Sequence, residues 1–147
     1  MTTSPDFLAA WCRLAVKHRV ALGALAGSRA DEFTAALVAA SFALPADGSV
    51  AEREVNERLV GWLAGPGAML STDHVELRRW LVDLGLVERD GYGRAYRRAP
   101  PPPACRDAAA ALAAVDPGAI ATQARSDLAR IRADRRARHE AREGNST

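Results

Sequence analysis

Residues 50–98 read VAEREVNERLVGWLAGPGAMLSTDHVELRRWLVDLGLVERDGYGRAYRR, and this stretch decides the fold that we expect. Residues 49–52, Ser-Val-Ala-Glu, have the capping-box pattern, in which the serine and glutamate side chains bind the first free amides of a helix. We therefore predict a helix from there to about Ala64. The Gly-Pro-Gly of residues 65–67 ends it, because proline cannot continue a helix. Its predicted inward residues are Val55, Leu59, Trp62 and Leu63.

A second helix of this stretch is predicted to begin at Ser71, Thr72 or Asp73, because all three residue types cap helix N-termini. Gly85 is its expected end, since glycine readily adopts the left-handed conformation that often follows a helix. The predicted apolar face consists of Leu77, Trp80, Leu81 and Leu84. The other faces carry His74, Glu76, Arg78, Arg79 and Asp83.

The end of the stretch has the pattern of a β-hairpin. Residues 86–89 are predicted to form a short strand, residues 90–93 (Asp-Gly-Tyr-Gly) a turn, and residues 94–98 the returning strand. Two helices followed by a hairpin are typical of a winged helix-turn-helix. We therefore expect a mostly α protein with a small β-hairpin and a winged helix-turn-helix-like core.

N-terminal helices are predicted to pack on this core. Ser4-Pro5-Asp6 has the composition of a helix start, and apolar residues then recur at helical spacing as far as Gly27-Ser28. His18 lies in that apolar stripe and is interpreted as a partly buried packing residue rather than a ligand. A further helix is predicted from its cap, Asp31, through Leu44.

The prolines at 100–103 predict an extended spacer. We take residues 99–104 as this spacer, between a domain of residues 1–98 and a helical, partly disordered C-terminal extension, 105–147. A long helix is predicted from about Ala119 to Glu143. Its apolar stripe consists of Ile120, Ala124, Leu128 and Ile131. Beyond the stripe come Arg132, Arg135, Arg136, Arg138 and Arg142, with Asp134, Glu140 and Glu143 interspersed.

Charged residues along this helix can pair at a spacing of four, which supports a solvated helix. The predicted pairs are Arg130–Asp134, Asp134–Arg138 and Arg136–Glu140. Two alternatives stay open for the same segment. Besides a solvated helix, it could form a basic arm that contacts nucleic acid or half of a dimer seam.

Charge is nearly balanced over the whole chain, with 20 basic and 18 acidic residues and a net charge of +2. Any polyanion site must therefore come from local asymmetry. Residues 78–98 hold six arginines against three acidic residues, whereas residues 47–76 hold six acidic residues against two arginines. The acidic segment would be repelled by phosphate if it faced DNA.

Candidate DNA-binding residues follow from the winged-helix interpretation, with the second helix facing the major groove and the hairpin reaching phosphates. They are His74, Arg78, Arg79, Arg94, Arg97 and Arg98. The two helix arginines have a structural alternative, in which they pair with carboxylates and lock the helices together. The available carboxylates are Glu54, Glu57 and Asp83. Asn56 is predicted to hydrogen-bond the backbone of the loop before Asp73.

Patterns of enzymes and metal sites are missing from the sequence. Cys12 and Cys105 are too far apart for a recognisable framework, and His18, His74 and His139 have no metal-ligand spacing. There is no glycine-rich phosphate loop or nucleophile elbow. We expect no enzymatic activity, no metal and no cofactor. Because neither a signal-peptide pattern nor an apolar membrane span is present, a cytoplasmic protein is expected.

Residues 49–98 resemble the bacterial family of unknown function numbered 2087, whose members often stand beside a transcription-regulator helix-turn-helix. The matching elements are Glu52-Arg53-Glu54-Val55-Asn56, Asp73-His74, Leu77-Arg78-Arg79, Leu81-Val82-Asp83, Gly85-Leu86, Arg89 and Tyr96-Arg97. Residues 64–72 depart from the pattern as an insertion, and a separate helix-turn-helix does not precede the block. The resemblance implies a bacterial regulator-like protein and carries no established chemistry.

Two functions remain open on the sequence. The first is a DNA-binding transcriptional regulator-like protein that uses a winged helix, with double-stranded DNA as its partner. The alternative is a protein-interaction or dimerisation module with the same fold and no nucleic-acid binding. Its partner would be a second copy or a partner regulator, bound through the C-terminal helix. Neither interpretation involves a membrane.

Overall fold

The computed structural model describes residues 5–92 and 94–145, and this part of the chain is mostly helical with one small antiparallel sheet. The elements in order are α1 (Phe7–Ala15), α2 (Leu22–Ser28), α3 (Ala30–Ser41), β1 (Ser49–Ala51), α4 (Glu52–Ala64), α5 (His74–Asp83), β2 (Val87–Arg89), β3 (Ala95–Arg98), a 3₁₀ turn (Pro103–Cys105), α6 (Arg106–Ala113) and α7 (Pro117–Gly144). The expected class, mostly α with a small β-hairpin, is confirmed. The order from α3 to β3 is compatible with a winged-helix-like arrangement.

The single long N-terminal helix predicted from the apolar spacing is wrong. The helix α1 ends at Ala15, and Arg19 takes a positive φ of 52° before α2 begins. The chain leaves the helix because Val20 pairs with a distant loop: its amide donates to Met69 O at 2.8 Å, and its carbonyl accepts from the Ser71 amide. His18 therefore lies exposed in the connection and is not the packing residue that we predicted.

Helix starts differ from prediction in two places. The carboxylate of Asp6 caps α1 by accepting from the Ala9 amide at 3.0 Å, whereas the predicted contribution of Ser4 lies outside the described residues. Asp31, predicted as a cap, lies inside the first turn of α3, where it binds Arg13 across to α1. The N-cap position is Arg29, without a side-chain cap.

The helix α3 is the centre of the fold. It is buried from Glu32 to Ser41 except for Thr34, and it packs against α1, α2, α5 and α6. Glu32 is fully buried and receives Lys17 Nζ at 2.9 Å. The core residues contributed by the other helices are Trp11, Leu14, Leu22, Leu59, Leu77, Leu81, Leu112 and Ala121.

The predicted capping box at residues 49–52 is wrong, because residues Ser49–Ala51 form the strand β1. Their register against β3 is Ser49 with Arg97, Val50 with Tyr96 and Ala51 with Ala95. The helix α4 then starts after Ala51, whose methyl side chain offers no cap. The sheet has the strand order β1-β3-β2, so the hairpin is extended by a third strand that the sequence patterns did not indicate.

The helix α5 and the hairpin are confirmed. Asp73 caps α5 by accepting from the Glu76 amide at 2.8 Å, and Gly85 has the left-handed φ of 80° expected after the helix. In the turn, Asp90 Oδ1 accepts from the amides of Tyr92 and Arg94. These two bonds hold the turn of the hairpin.

The C-terminal helices share the core with the N-terminal ones. The residues buried on this side are Cys105, Ala108, Ala109, Leu112 and Ala121. The indole of Trp11 donates to Pro117 O at 2.8 Å, and Arg125 donates to the carbonyls of Ala15, Gly65 and Pro66. These bonds attach the first half of α7 to α1 and to the loop after α4. The division of the chain at residues 99–104 stays a prediction.

Candidate nucleic-acid interface

A groove of about 230 Å³ separates α5 from the hairpin. Its walls are formed by Val75, Arg78, Arg79, Val82, Asp83, Arg89 and Tyr96. Residues spaced three and four apart lie on one face of a helix, which brings the α5 residues together. Residues directly opposite in an antiparallel pair project to the same face. Arg89 lies opposite Tyr96 in this register, so both side chains reach the groove.

Arg78 is held by contacts within the protein. Its Nη1 donates to Asn56 Oδ1 at 2.6 Å and lies 3.0 Å from Glu52 Oε1, and its guanidinium lies over the Tyr96 ring at 5.4 Å. The side chain is only 19% exposed. Arg78 therefore forms a structural ion pair, as in the alternative predicted for the helix arginines. Its partner is Glu52 and none of the three carboxylates that we predicted. Asn56 accepts from the Arg78 guanidinium and does not bind the backbone of the loop before Asp73 as predicted.

Arg79 and Arg89 face the same groove with exposed side chains. Within residues 5–92 and 94–145, neither forms an ion pair with a carboxylate. Arg94 is exposed beside the turn, where Tyr92 is 87% exposed. Arg89 was not among the predicted site residues. Successive residues of a strand face opposite sides, so Val87 facing inward and Glu88 facing outward predict that Arg89 faces the same side as Val87. This alternation could have identified Arg89 from the sequence.

The last two hairpin arginines have partners inside the protein. Arg97 lies on the outer face of the sheet, where it forms an ion pair with Glu88, directly opposite on β2. Arg98 projects to the inner face, and its guanidinium lies over the Phe42 ring at 4.4 Å. Burial lowers the pKa of Arg98 from its ordinary value. Of the three hairpin arginines predicted to contact phosphate, Arg97 and Arg98 thus have partners inside the protein.

His74 is the first residue of α5 and is half-buried. It lies one residue after the cap Asp73, at the end of the helix that carries Arg78 and Arg79 further along. The structure therefore brings Arg78, Arg79 and Arg89 together at the groove. His74, Arg94, Arg97 and Arg98 do not line it.

Acidic residues of α4 are largely paired within their own helix. Glu54 lies 3.0 Å from Arg58, and Glu57 lies 3.4 Å from Arg53. Glu52 is the residue that reaches across to α5. Arg53 and Arg58 already count within residues 47–76, so only the ion pair of Glu52 with Arg78 reduces the repulsion of phosphate expected from this segment.

Other kinds of site find little support in the described residues. No group of three or more histidine, cysteine or acidic residues there could hold a metal ion. Cys12 and Cys105 are both free thiols, and burial raises the pKa of each. No helix in the described ranges is long and apolar enough to cross a membrane.

Comparison with known proteins relates the central segment of the chain to one family. Residues 27–98, from the end of α2 to the end of β3, match the profile of a family described as "Uncharacterized protein conserved in bacteria (DUF2087)". The match confirms the resemblance predicted for residues 49–98 and extends it across α3. No curated protein and no solved structure matches the chain. The segment that contains both walls of the groove is therefore similar to the bacterial family DUF2087.

Proposed function

We propose that this protein is a DNA-binding, transcriptional regulator-like protein in which α5 and the hairpin together contact duplex DNA. The observation that carries the proposal is the groove between them. It holds Arg79 and Arg89 on opposite walls, exposed and without a carboxylate partner in the part of the chain that the structure describes. No enzymatic activity and no cofactor belong to this proposal.

The chemistry of the groove suits a phosphate of the DNA backbone. Arginine presents two parallel N–H donors to phosphate oxygens, and such charge-assisted bonds are stronger than neutral ones. Asp83 is the one acidic residue at the groove, against three arginines. A phosphate between α5 and the hairpin would position the exposed face of α5 in the major groove, where base edges are read.

The other candidate residues take different roles in this proposal. Arg78 positions α5 against α4 and β3 and leaves its neighbour Arg79 to contact phosphate. Arg94, beside the exposed Tyr92, extends the contact along the sugar-phosphate backbone. Arg97 and Arg98 contribute less, since each would first have to leave an internal partner.

The test compares two double variants of equal charge. Arg79→Gln with Arg89→Gln removes the two groove arginines, whereas Arg53→Gln with Arg58→Gln removes two paired arginines of α4. Binding to a duplex from upstream of the protein's own coding sequence, and to a scrambled duplex, is measured by fluorescence anisotropy at several salt concentrations. We expect the groove variant to lose roughly tenfold in affinity and about 1.8 in the slope of log affinity against log salt.

The control variant should keep the slope of the unmodified protein. Equal losses in the two variants would mean that general charge, and not the groove, attracts DNA. If the unmodified protein binds neither duplex at low salt, the proposal is wrong.

A protein-interaction or dimerisation module is the second candidate. Ile131 is 45% exposed on α7, which favours a partner at this helix, although Leu128 beside it is half-buried against the body of the protein. Light scattering on the same unmodified protein separates the two candidates. A stable dimer that binds no duplex would favour the interaction module.

A further inference from the structure

The second half of α7 extends away from the rest of the protein. The helix has 28 residues, so it spans about 42 Å at 1.5 Å per residue. The bonds of Trp11 and Arg125 hold its first half, as described above. From Ala129 to Asn145 every residue is exposed. We call this segment, residues 129–145, the arm.

Arginines occupy one side of the arm. At 100° per residue, the members of this side fall within an arc of about 120°. We call them the basic stripe, which consists of Arg132, Arg135, Arg138 and Arg142. The acidic residues of the arm fall outside this arc; they are Asp134, Glu140 and Glu143.

The stripe is also free of ion pairs within the described ranges. The ion pairs of this region join Arg130 to Asp127 and His139 to Glu143, and none of the predicted pairs at Asp134 forms. The near end of the stripe continues onto the body, because Arg132 lines a groove of about 290 Å³ together with Lys17 and His18. Lys17 there is paired with Glu32. The result is a positive surface about 15 Å long on the arm alone.

The composition of the remaining faces decides which partner fits. An interfacial membrane helix needs large apolar residues opposite its basic face, but the arm carries Ala133, Ala137 and Ala141 there. A coiled-coil seam needs apolar residues repeating every three to four positions. The one large apolar side chain of the arm is Ile131, which falls within the arc of the basic stripe and has no second large apolar residue at such a spacing. A linear polyanion needs only spaced, unpaired cations.

We propose that the basic stripe is a second DNA contact, which binds the phosphate backbone of a duplex outside the site of α5 and the hairpin. The choice of DNA as the polyanion rests on the proposed function. The contact itself involves no residue of the groove between α5 and the hairpin. Each arginine that neutralises a phosphate releases counterions, so the stripe should contribute to affinity in a salt-dependent manner and independently of sequence.

The experiment uses the full chain and two double variants of equal charge. Arg135→Gln with Arg138→Gln alters the stripe. Arg130→Gln with Arg136→Gln alters the arm outside the stripe, since Arg130 pairs with Asp127 and Arg136 falls beyond the arc. Glutamine sustains helices about as well as arginine, and circular dichroism verifies that helicity is equal. Duplex binding is again measured over a range of salt concentrations.

We expect the stripe variant to lose roughly tenfold in affinity, with about 1.8 less salt slope, on specific and scrambled duplexes alike. The control variant should match the unmodified protein. Equal slopes for the stripe variant and the unmodified protein would overturn the inference.

Comparison with the groove variant (Arg79→Gln with Arg89→Gln) separates this inference from the proposed function. If the groove variant loses slope and the stripe variant does not, the proposed function stands and the second contact is wrong. The reverse result supports the stripe and contradicts the groove. Binding to vesicles of anionic phospholipid as tight as binding to duplex would overturn the assignment to DNA.

Discussion

Two adjacent arginines of α5 have opposite environments, and this difference determines what each can do. The guanidinium of Arg78 binds Asn56 and Glu52 and lies over Tyr96, so it connects α4, α5 and β3. Arg79, one residue further, is exposed at the groove. A helix turns by 100° per residue, which is enough to place one side chain in a packed contact and the next in solvent.

Replacing each of the two by methionine should separate stability from binding. Arg78→Met removes a charged hydrogen bond and an ion pair, and we expect the free energy of unfolding to fall by about 1–2 kcal/mol. Arg79→Met changes an exposed position, and unfolding should stay within about 0.5 kcal/mol of the unmodified protein. Urea unfolding followed by circular dichroism measures both. Similar losses in the two variants would contradict the positioning role of Arg78.

At the scale of elements, the loop after α4 contributes more than an end to the helix. The Gly-Pro-Gly of residues 65–67 ends α4 as predicted, but Gly67 also leaves room for the ring of Trp62. A Cβ placed at Gly67 would meet Trp62 at Cε3, Cζ3 and Cη2, well inside van der Waals contact. Trp62 in turn packs against Trp11, with ring centroids 6.2 Å apart. The loop therefore fixes the packing between α4 and α1.

Gly67→Ala should destabilise the protein, since the added methyl group must displace a buried indole ring. Overpacking of this kind costs about 1–3 kcal/mol. Gly61→Ala is the matched control: Gly61 lies within α4 and a Cβ there meets no atom within 4 Å. Alanine is a better helix former, so this variant should gain about 0.5–1 kcal/mol. Thermal unfolding reports both signs, and a loss in both variants would contradict the steric explanation.

The elements that the sequence predicted correctly are those with local signals. The cap at Asp73, the stop at Gly85 and the turn that begins at Asp90 each depend on neighbours within a few positions. The strand β1 has no such signal, because its pairing partner β3 lies more than 40 residues away. The break after α1 has the same cause, since Val20 bonds with residues 69–71.

The candidate site could be predicted only in part, for a related reason. The sequence located the arginines of α5 and the hairpin, but their availability depends on register and on tertiary neighbours. Glu88 pairs with Arg97 because β2 and β3 align them. Phe42, more than 50 residues before Arg98, covers the guanidinium of that residue. Among the residues that the structure describes, Arg89 has no carboxylate partner, because its face of the sheet opens onto the groove.

At the scale of the whole molecule, helices outside residues 27–98 pack against the segment that matches the family. Residues 27–98 match the family profile, whereas α1, α6 and the first half of α7 lie outside that match and still contribute to the same core. Arg125 shows the connection most clearly, because its guanidinium donates to carbonyls at the end of α1 and in the loop after α4. The arm of α7 lies beyond this shared core.

Two truncations should therefore behave differently. A chain of residues 1–129 loses no residue that is buried in the described part of the chain, and its free energy of unfolding should stay within about 0.5 kcal/mol of the full chain. A chain of residues 1–115 loses all of α7, which exposes the indole of Trp11 and leaves its N–H without Pro117 O. We expect a loss of more than about 3 kcal/mol for this chain, from the apolar area exposed and the unpaired donor.

The chain of residues 1–129 also tests the contribution of the arm to DNA binding. Because residues 1–129 lack all four arginines of the basic stripe while keeping the groove, the salt slope for duplex DNA should fall by about 3.6, twice the change of the stripe double variant. Urea unfolding and anisotropy on the same preparation give both quantities. A large loss of stability for residues 1–129 would mean that the arm packs on the body, and an unchanged salt slope would mean that it does not reach DNA.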